Sequence, residues 1–171
     1  MSKYDEICQA YRKSRREFLS YGETCRVFAH ELIEGMIEYF EWPRNQEITF
    51  IQLGEEINPM DRFYALAGAM QMDDESFWHF GVEMTVHEPT GVYPQPFLMS
   101  FYIKKNGPIF IVKLGPKGEE IKIHEDRRRE LGPFYEAVYV KIVSFFLKEY
   151  QEAINRKEMK PDFIMLANGQ E

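Results

Sequence analysis

Two turns that agree on one buried face constrain this chain more than any other feature. Between residues 96 and 124, Phe97, Met99, Phe101 and Ile103 alternate with Leu98, Ser100, Tyr102 and Lys104, the period of a strand. Asn106-Gly107 reads as a two-residue hairpin turn, and pairing across it sets Ile103 against Phe110, Phe101 against Val112 and Met99 against Leu114. A second turn, Gly115-Pro116-Lys117-Gly118, sets Leu114 against Glu119, Val112 against Ile121 and Phe110 against Ile123. The third strand thus joins the same apolar face, whereas a slip by one residue would turn every side chain over.

Upstream, Trp78, Phe80, Val82, Met84 and Val86 alternate with His79, Gly81, Glu83, Thr85 and His87, which predicts another strand. Residues 62–72 admit two readings. Asn58-Pro59 can open an Ala-rich helix, or Asp73-Asp74-Glu75-Ser76 can close a hairpin that places Ala65, Ala67 and Ala69 beside Met84, Val82 and Phe80. The hairpin is preferred. Residues 47–53 supply a further short strand, expected at an edge. The expected architecture is therefore α+β, with a meander of about five to six antiparallel strands between terminal helices. In these registers the second face of the sheet carries Tyr64, Leu66, Met70, Met72, Phe77, Tyr102, Ile109 and Ile111, an apolar patch that calls for a cover.

Residues 4–40 carry one apolar stripe at helical period: Tyr4, Ile7, Cys8, Tyr11, Phe18, Leu19, Cys25, Phe28, Ala29, Leu32, Ile33, Met36, Ile37 and Phe40. Unbroken, such a helix would be ~55 Å long, against ~40 Å for the width of a compact chain of this size. Ser20-Tyr21-Gly22-Glu23 has the form of a capping box, so a break or bend is placed near Ser20, giving an N-terminal helix pair or one bent helix. Ser2-Lys3-Tyr4-Asp5 offers a cap at the start, and Trp42-Pro43 closes the second segment. At the other end, Gly132-Pro133 opens a long C-terminal helix expected to reach about Arg156. Phe134, Val138, Tyr139, Val140, Ile142, Val143, Phe145, Phe146, Leu147, Tyr150 and Ile154 cover most of its circumference, which requires apolar neighbours on two sides. The mostly apolar segment 162–167 is expected to add as an edge strand or to dock on a neighbour.

A length of 171 residues fits a single domain, 1–171, with residues 161–171 as a docking or disordered tail, and 44 % hydrophobic with 29 % charged residues is a globular composition. The formal charge of −7 disfavours a nucleic-acid partner; the basic clusters Arg12-Lys13-Ser14-Arg15-Arg16 and Arg127-Arg128-Arg129 have acidic neighbours and read as solvated faces. No signal-peptide-like run or membrane-span-length apolar stretch occurs, so a cytoplasmic location is expected. Cys8 and Cys25 offer neither a disulfide framework nor a thiolate metal site.

Phosphate loops, nucleophile elbows and zinc-hydrolase motifs are missing, so no catalytic residue, metal or cofactor is assigned and the chain reads as a non-enzyme. His79, Glu83 and His87 recur every four residues, a metal stripe on a helix; on a strand successive members lie ~13 Å apart. His30 and Glu34 form an ordinary helical charge pair, and Glu120-Ile121-Lys122 is too common a tripeptide to signify. The Pro-rich loop 88–96 carries Tyr93 at its tip and can form a lip over the second sheet face, making His79, Glu83, Tyr102 and Tyr93 the ligand-binding candidates. The order helix, antiparallel strands, helix, together with acidity, is similar to small bacterial secretion-chaperone-like domains, although a shared element order does not fix function. The leading expectation is a dimeric adaptor or chaperone-like protein holding a polypeptide partner; the alternative is a small-molecule site or enzyme on the second sheet face under the 88–96 loop.

Overall fold

The computed structural model describes residues 2–54, 62–89, 94–126, 131–149 and 163–165. Its elements run α1 (Lys3–Tyr39), β1 (Thr49–Ile51), β2 (Arg62–Phe63), α2 (Leu66–Ala69), β3 (Gln71–Met72), β4 (Trp78–Val86), β5 (Gln95–Asn106), β6 (Ile109–Leu114), β7 (Ile121–His124), α3 (Gly132–Ser144) and β8 (Phe163–Met165). This is an α+β fold. Among the described residues the sheet has eight strands, ordered β2-β1-β4-β5-β6-β7, with β3 on β4 and β8 on β5. Every pairing is antiparallel.

The meander β4–β7 follows the alternation of the sequence. Phe80, Val82, Met84, Phe97, Met99, Phe101, Ile103, Phe110, Val112, Leu114 and Ile123 form one buried face. Val112 pairs with Ile121 and Phe110 with Ile123, as the second turn requires. Across the first turn the register differs by two residues from expectation: Ile103 faces Val112 and Phe101 faces Leu114. The loop is Gly107-Pro108, closed by the Asn106–Ile109 pair. Gly107 takes a φ of 57° while Asn106 does not enter the left-handed region. Pro108, with its fixed negative φ and no N–H, suits the second loop position rather than a ladder position. A slip of two preserves the face, which is why the core is unaffected.

Residues 62–72 are not one strand. β2 pairs β1, α2 makes a single turn, and only Gln71 and Met72 pair β4, opposite His79 and Trp78. The register is displaced by one from the alanine pairing, and Leu66 and Ala69 turn into the main core, against which Met70 packs. Small residues here favour a tight helical turn over a strand. β1 is short but not the outermost strand, because β2 lies beyond it.

The largest departure is α1. It is one uninterrupted helix of 37 residues, ~55 Å long, with no break at Ser20. Its capping box is at Ser2, whose hydroxyl accepts from the Asp5 N–H at 3.1 Å while the Asp5 carboxylate accepts from the Ser2 N–H at 2.9 Å. Ser20 is interior to the helix: its carbonyl accepts from the Thr24 hydroxyl at 2.9 Å, and Glu23 binds Arg26. At Gly22 the helix passes close to the sheet, where a Cβ would stand 3.0 Å from the Trp78 ring. Only the second half of α1 packs, burying Cys25, Phe28, Ala29, Leu32, Ile33 and Met36 on the sheet, with Phe28 stacked on Phe110 at 3.9 Å.

α3 lies in the same core through Phe134, Tyr135 and Val138. It is short, not long: its α-helical part ends at Ser144 and passes into a π-helical turn, Phe145–Glu149, while the expected continuation to Arg156 falls outside the described residues. The wider turn puts consecutive aromatics inward, Phe145 buried and Phe146 edge-on to Phe97 at 5.5 Å. The apolar tail adds as β8 on Phe97–Met99 of β5, beside the shorter β6.

Candidate functional site

The sequence candidates separate in space. His79 and Tyr102 are direct cross-strand partners with ring centroids 5.5 Å apart. Lys113 continues the row from β6 opposite Tyr102, its buried ammonium 4.4 Å from the Phe77 ring and 5.3 Å from that of Tyr102, donating to the Pro116 carbonyl at 3.0 Å. Burial pushes the His79 pKa down against a weaker opposing pull from Asp73, and pushes the Tyr102 phenol up. His79 is thus neutral at neutral pH, with its buried Nδ1 lacking a hydrogen-bond partner. Glu83 lies elsewhere, four residues or ~13 Å along β4. Arg62 grips its carboxylate at 3.0 and 3.2 Å, and the Thr49 hydroxyl donates to it at 3.3 Å. Tyr93 lies outside the described residues. The strand pairing therefore brings together two of the four candidates, and among the described residues no carboxylate is bonded to either to make an acid–base pair.

The second sheet face is less open than its composition implies. Phe77 and Leu98 are buried, Ile109 and Ile111 half-buried, and Leu98 joins Ile51 and Leu53 in a small second core against Tyr102. Among the described residues no three His, Cys, Asp or Glu side chains converge as a metal site. His30 and Glu34 form an exposed i,i+4 pair at 3.3 Å, and burial raises the Cys25 thiol pKa, which keeps it an inert packing group. No helix among the described residues is long and apolar enough to cross a membrane.

Tyr64 and Met72 of the second sheet face are exposed, but most of the exposed large apolar side chains lie on the helices. From residue 3 to residue 20 every side chain of α1 is exposed except half-buried Cys8. Tyr4 (73 %), Ile7 (67 %), Tyr11 (62 %), Phe18 and Leu19 are exposed on the helical face that, about two turns further on, becomes the buried face of Cys25 and Phe28. The arm leaves the body at a defined rim. There the Tyr21 hydroxyl donates to the Ser76 carbonyl at 3.1 Å and Phe18 meets Trp78 at 6.0 Å. At its root, a groove of about 240 Å³ is lined by Phe18, Leu19, Gly22, Ala67, Met70 and Trp78 together with the charged Glu23 and Arg26. A second apolar patch is the outer side of α3 and its π turn, where Tyr139, Val140 and Leu147 (78 %) are exposed.

Sequence reasoning placed the arm residues in the same stripe as the core and so missed that they are free of it. One signal was present: between Tyr11 and Phe18 the stripe holds only Ser14 and Arg15, where the packed half holds Ala29, Leu32 and Ile33. No protein-family model matches this sequence, no curated protein is significantly similar to it, and no solved structure matches it.

Proposed function

We propose that this protein is a non-enzymatic, dimeric adaptor that holds a polypeptide on apolar surface, in the manner of a chaperone-like binding protein. The supporting observation is the helical arm of α1, an apolar stripe that the chain builds and leaves in solvent. Stripes of this size mark contact surfaces. An amphipathic helix recognises its partner by side chains spaced at i, i+3, i+4 and i+7, which is the spacing of Tyr4, Ile7, Cys8 and Tyr11. The outer side of α3 supplies a second surface, and the division of labour assigned here is self-association to the arm and polypeptide holding to Tyr139, Val140 and Leu147. Acidic net charge keeps such a surface soluble.

The test is a light-scattering assay in which a chemically denatured, aggregation-prone polypeptide is diluted into stoichiometric protein. Suppression of aggregation by the native chain, relieved by Val140→Ser with Leu147→Ser, is expected. No suppression by the native chain contradicts the reading.

A further inference from the structure

Resting on the reading of the arm as a contact surface, we infer that its partner is the arm of a second copy, laid antiparallel across a two-fold axis near Tyr11. Three observations carry this: the area, the charge pattern and the direction of the helix.

Tyr4, Ile7, Tyr11, Phe18 and Leu19 each expose about half or more of the side chain. With large side chains burying ~150–250 Å² each, the stripe offers roughly 500 Å² of apolar surface per copy. Two such stripes face to face supply ~1,000 Å², and flanking residues bring the total into the ~1,200–2,000 Å² of a stable interface. The groove at the root of the arm extends the surface toward the body.

On a turn of 3.6 residues, Asp5, Arg12 and Arg16 fall on one flank of the stripe and Lys3 and Glu17 on the other. An antiparallel pair brings like flank to like flank. Asp5 of one copy then lies beside Arg16 of the other, and Lys3 beside Glu17, each pair repeated by the two-fold axis. A parallel pair instead brings unlike flanks together, Asp5 toward Lys3 and Arg16 toward Glu17, so the flanks alone do not set the direction; it would, however, set Arg15, which lies within the stripe, on Arg15 of the other copy. Such exposed pairs add little affinity but favour one register, and the direction is selected by Arg15, which the antiparallel arrangement keeps away from its own copy. The helix dipoles also oppose in the antiparallel arrangement. Self-complementarity about one point is the requirement of an isologous interface.

The arm is ready for such pairing without rearrangement. Its helix is nucleated by the packed half, closed by the Ser2–Asp5 capping box, and supported by the exposed Lys13–Glu17 pair at 4.0 Å.

The direction is read by cross-linking single-cysteine variants of the full chain with a short bis-maleimide, in a Cys8→Ser background, Cys25 being buried. Urea midpoints equal to that of the parent establish that each variant is folded. Tyr11→Cys is expected to form covalent dimers alone, whereas Tyr4→Cys and Phe18→Cys form them only when mixed. Self-linking of all three would show a parallel pair and overturn the inference. No linking in any combination, with aggregation still suppressed by the same protein, overturns the second copy as partner while leaving the adaptor reading intact; loss of both removes the reading itself.

Discussion

The two halves of α1 share one helix, one stripe and one composition class, yet residues 22–39 bury that stripe and residues 3–20 do not. The packed half meets a sheet of large apolar side chains and anchors the core through Phe28, Leu32 and Met36. The arm meets water, and is helical because the packed half has already met the cost of nucleation. Amphipathic periodicity therefore specifies a helix with an apolar face; what covers that face is decided by the length of the sheet beside it.

The difference is sharpest under truncation. Phe28→Ala removes a fully buried ring stacked on Phe110 and is expected to cost about 3–5 kcal/mol in urea unfolding. Tyr11→Ala, at low concentration where chains are separate, should change stability by less than about 0.5 kcal/mol. Comparable losses at the two positions would break the contrast. Smaller than the Phe28→Ala loss is the effect of Gly35→Ala, whose Cβ would stand 2.3 Å from the hydroxyl of buried Tyr135; overpacking of about 1–3 kcal/mol is expected, reduced in a Tyr135→Phe background. Ser2→Ala removes the capping box and should quicken amide exchange in the first turn of the arm on the order of fivefold, with exchange beyond Cys25 unchanged.

The smallest effect is one of pH. Hydrogen bonds from the Ser2 hydroxyl and backbone hold the Asp5 carboxyl below its ordinary value of 3.8. A lowered folded pKa contributes order that is present above the ordinary value and lost as pH falls through the lowered one. Cα chemical shifts of the first turn should therefore drift toward coil in that acid window, before those of the packed half. His79 has the same sense at higher pH and from a different cause: its folded pKa is lowered by burial, so the unfolded chain takes up the proton first and stability falls as pH drops below 6.5. Urea midpoints should decline less steeply with acidification in His79→Leu.

The sequence disclosed the sheet more fully than the helices, for a physical reason. Strand faces are set by a period of two, so an error of two residues at Gly107-Pro108 left Phe101 and Ile103 on the correct face. Residues 62–72 were misread because alanine and glycine give no strong period, and the helical turn Leu66–Ala69 carries Leu66 into the main core. The unbroken arm was illegible to a compactness argument, since an extension beyond the sheet need not obey the size of the body. The ligand candidates were chosen for chemistry rather than distance. Strand geometry joined His79 to Tyr102 and left Glu83 to Arg62.

The most direct test of the central claim, that the arm's bare stripe joins two copies, is sedimentation equilibrium of the full chain across a wide concentration range. The mass of two chains is expected for the native protein, and that of one chain for Ile7→Asp with Tyr11→Asp, at an unchanged single-chain urea midpoint. A one-chain mass for the native protein throughout, or a dimer that survives both aspartates, would contradict it.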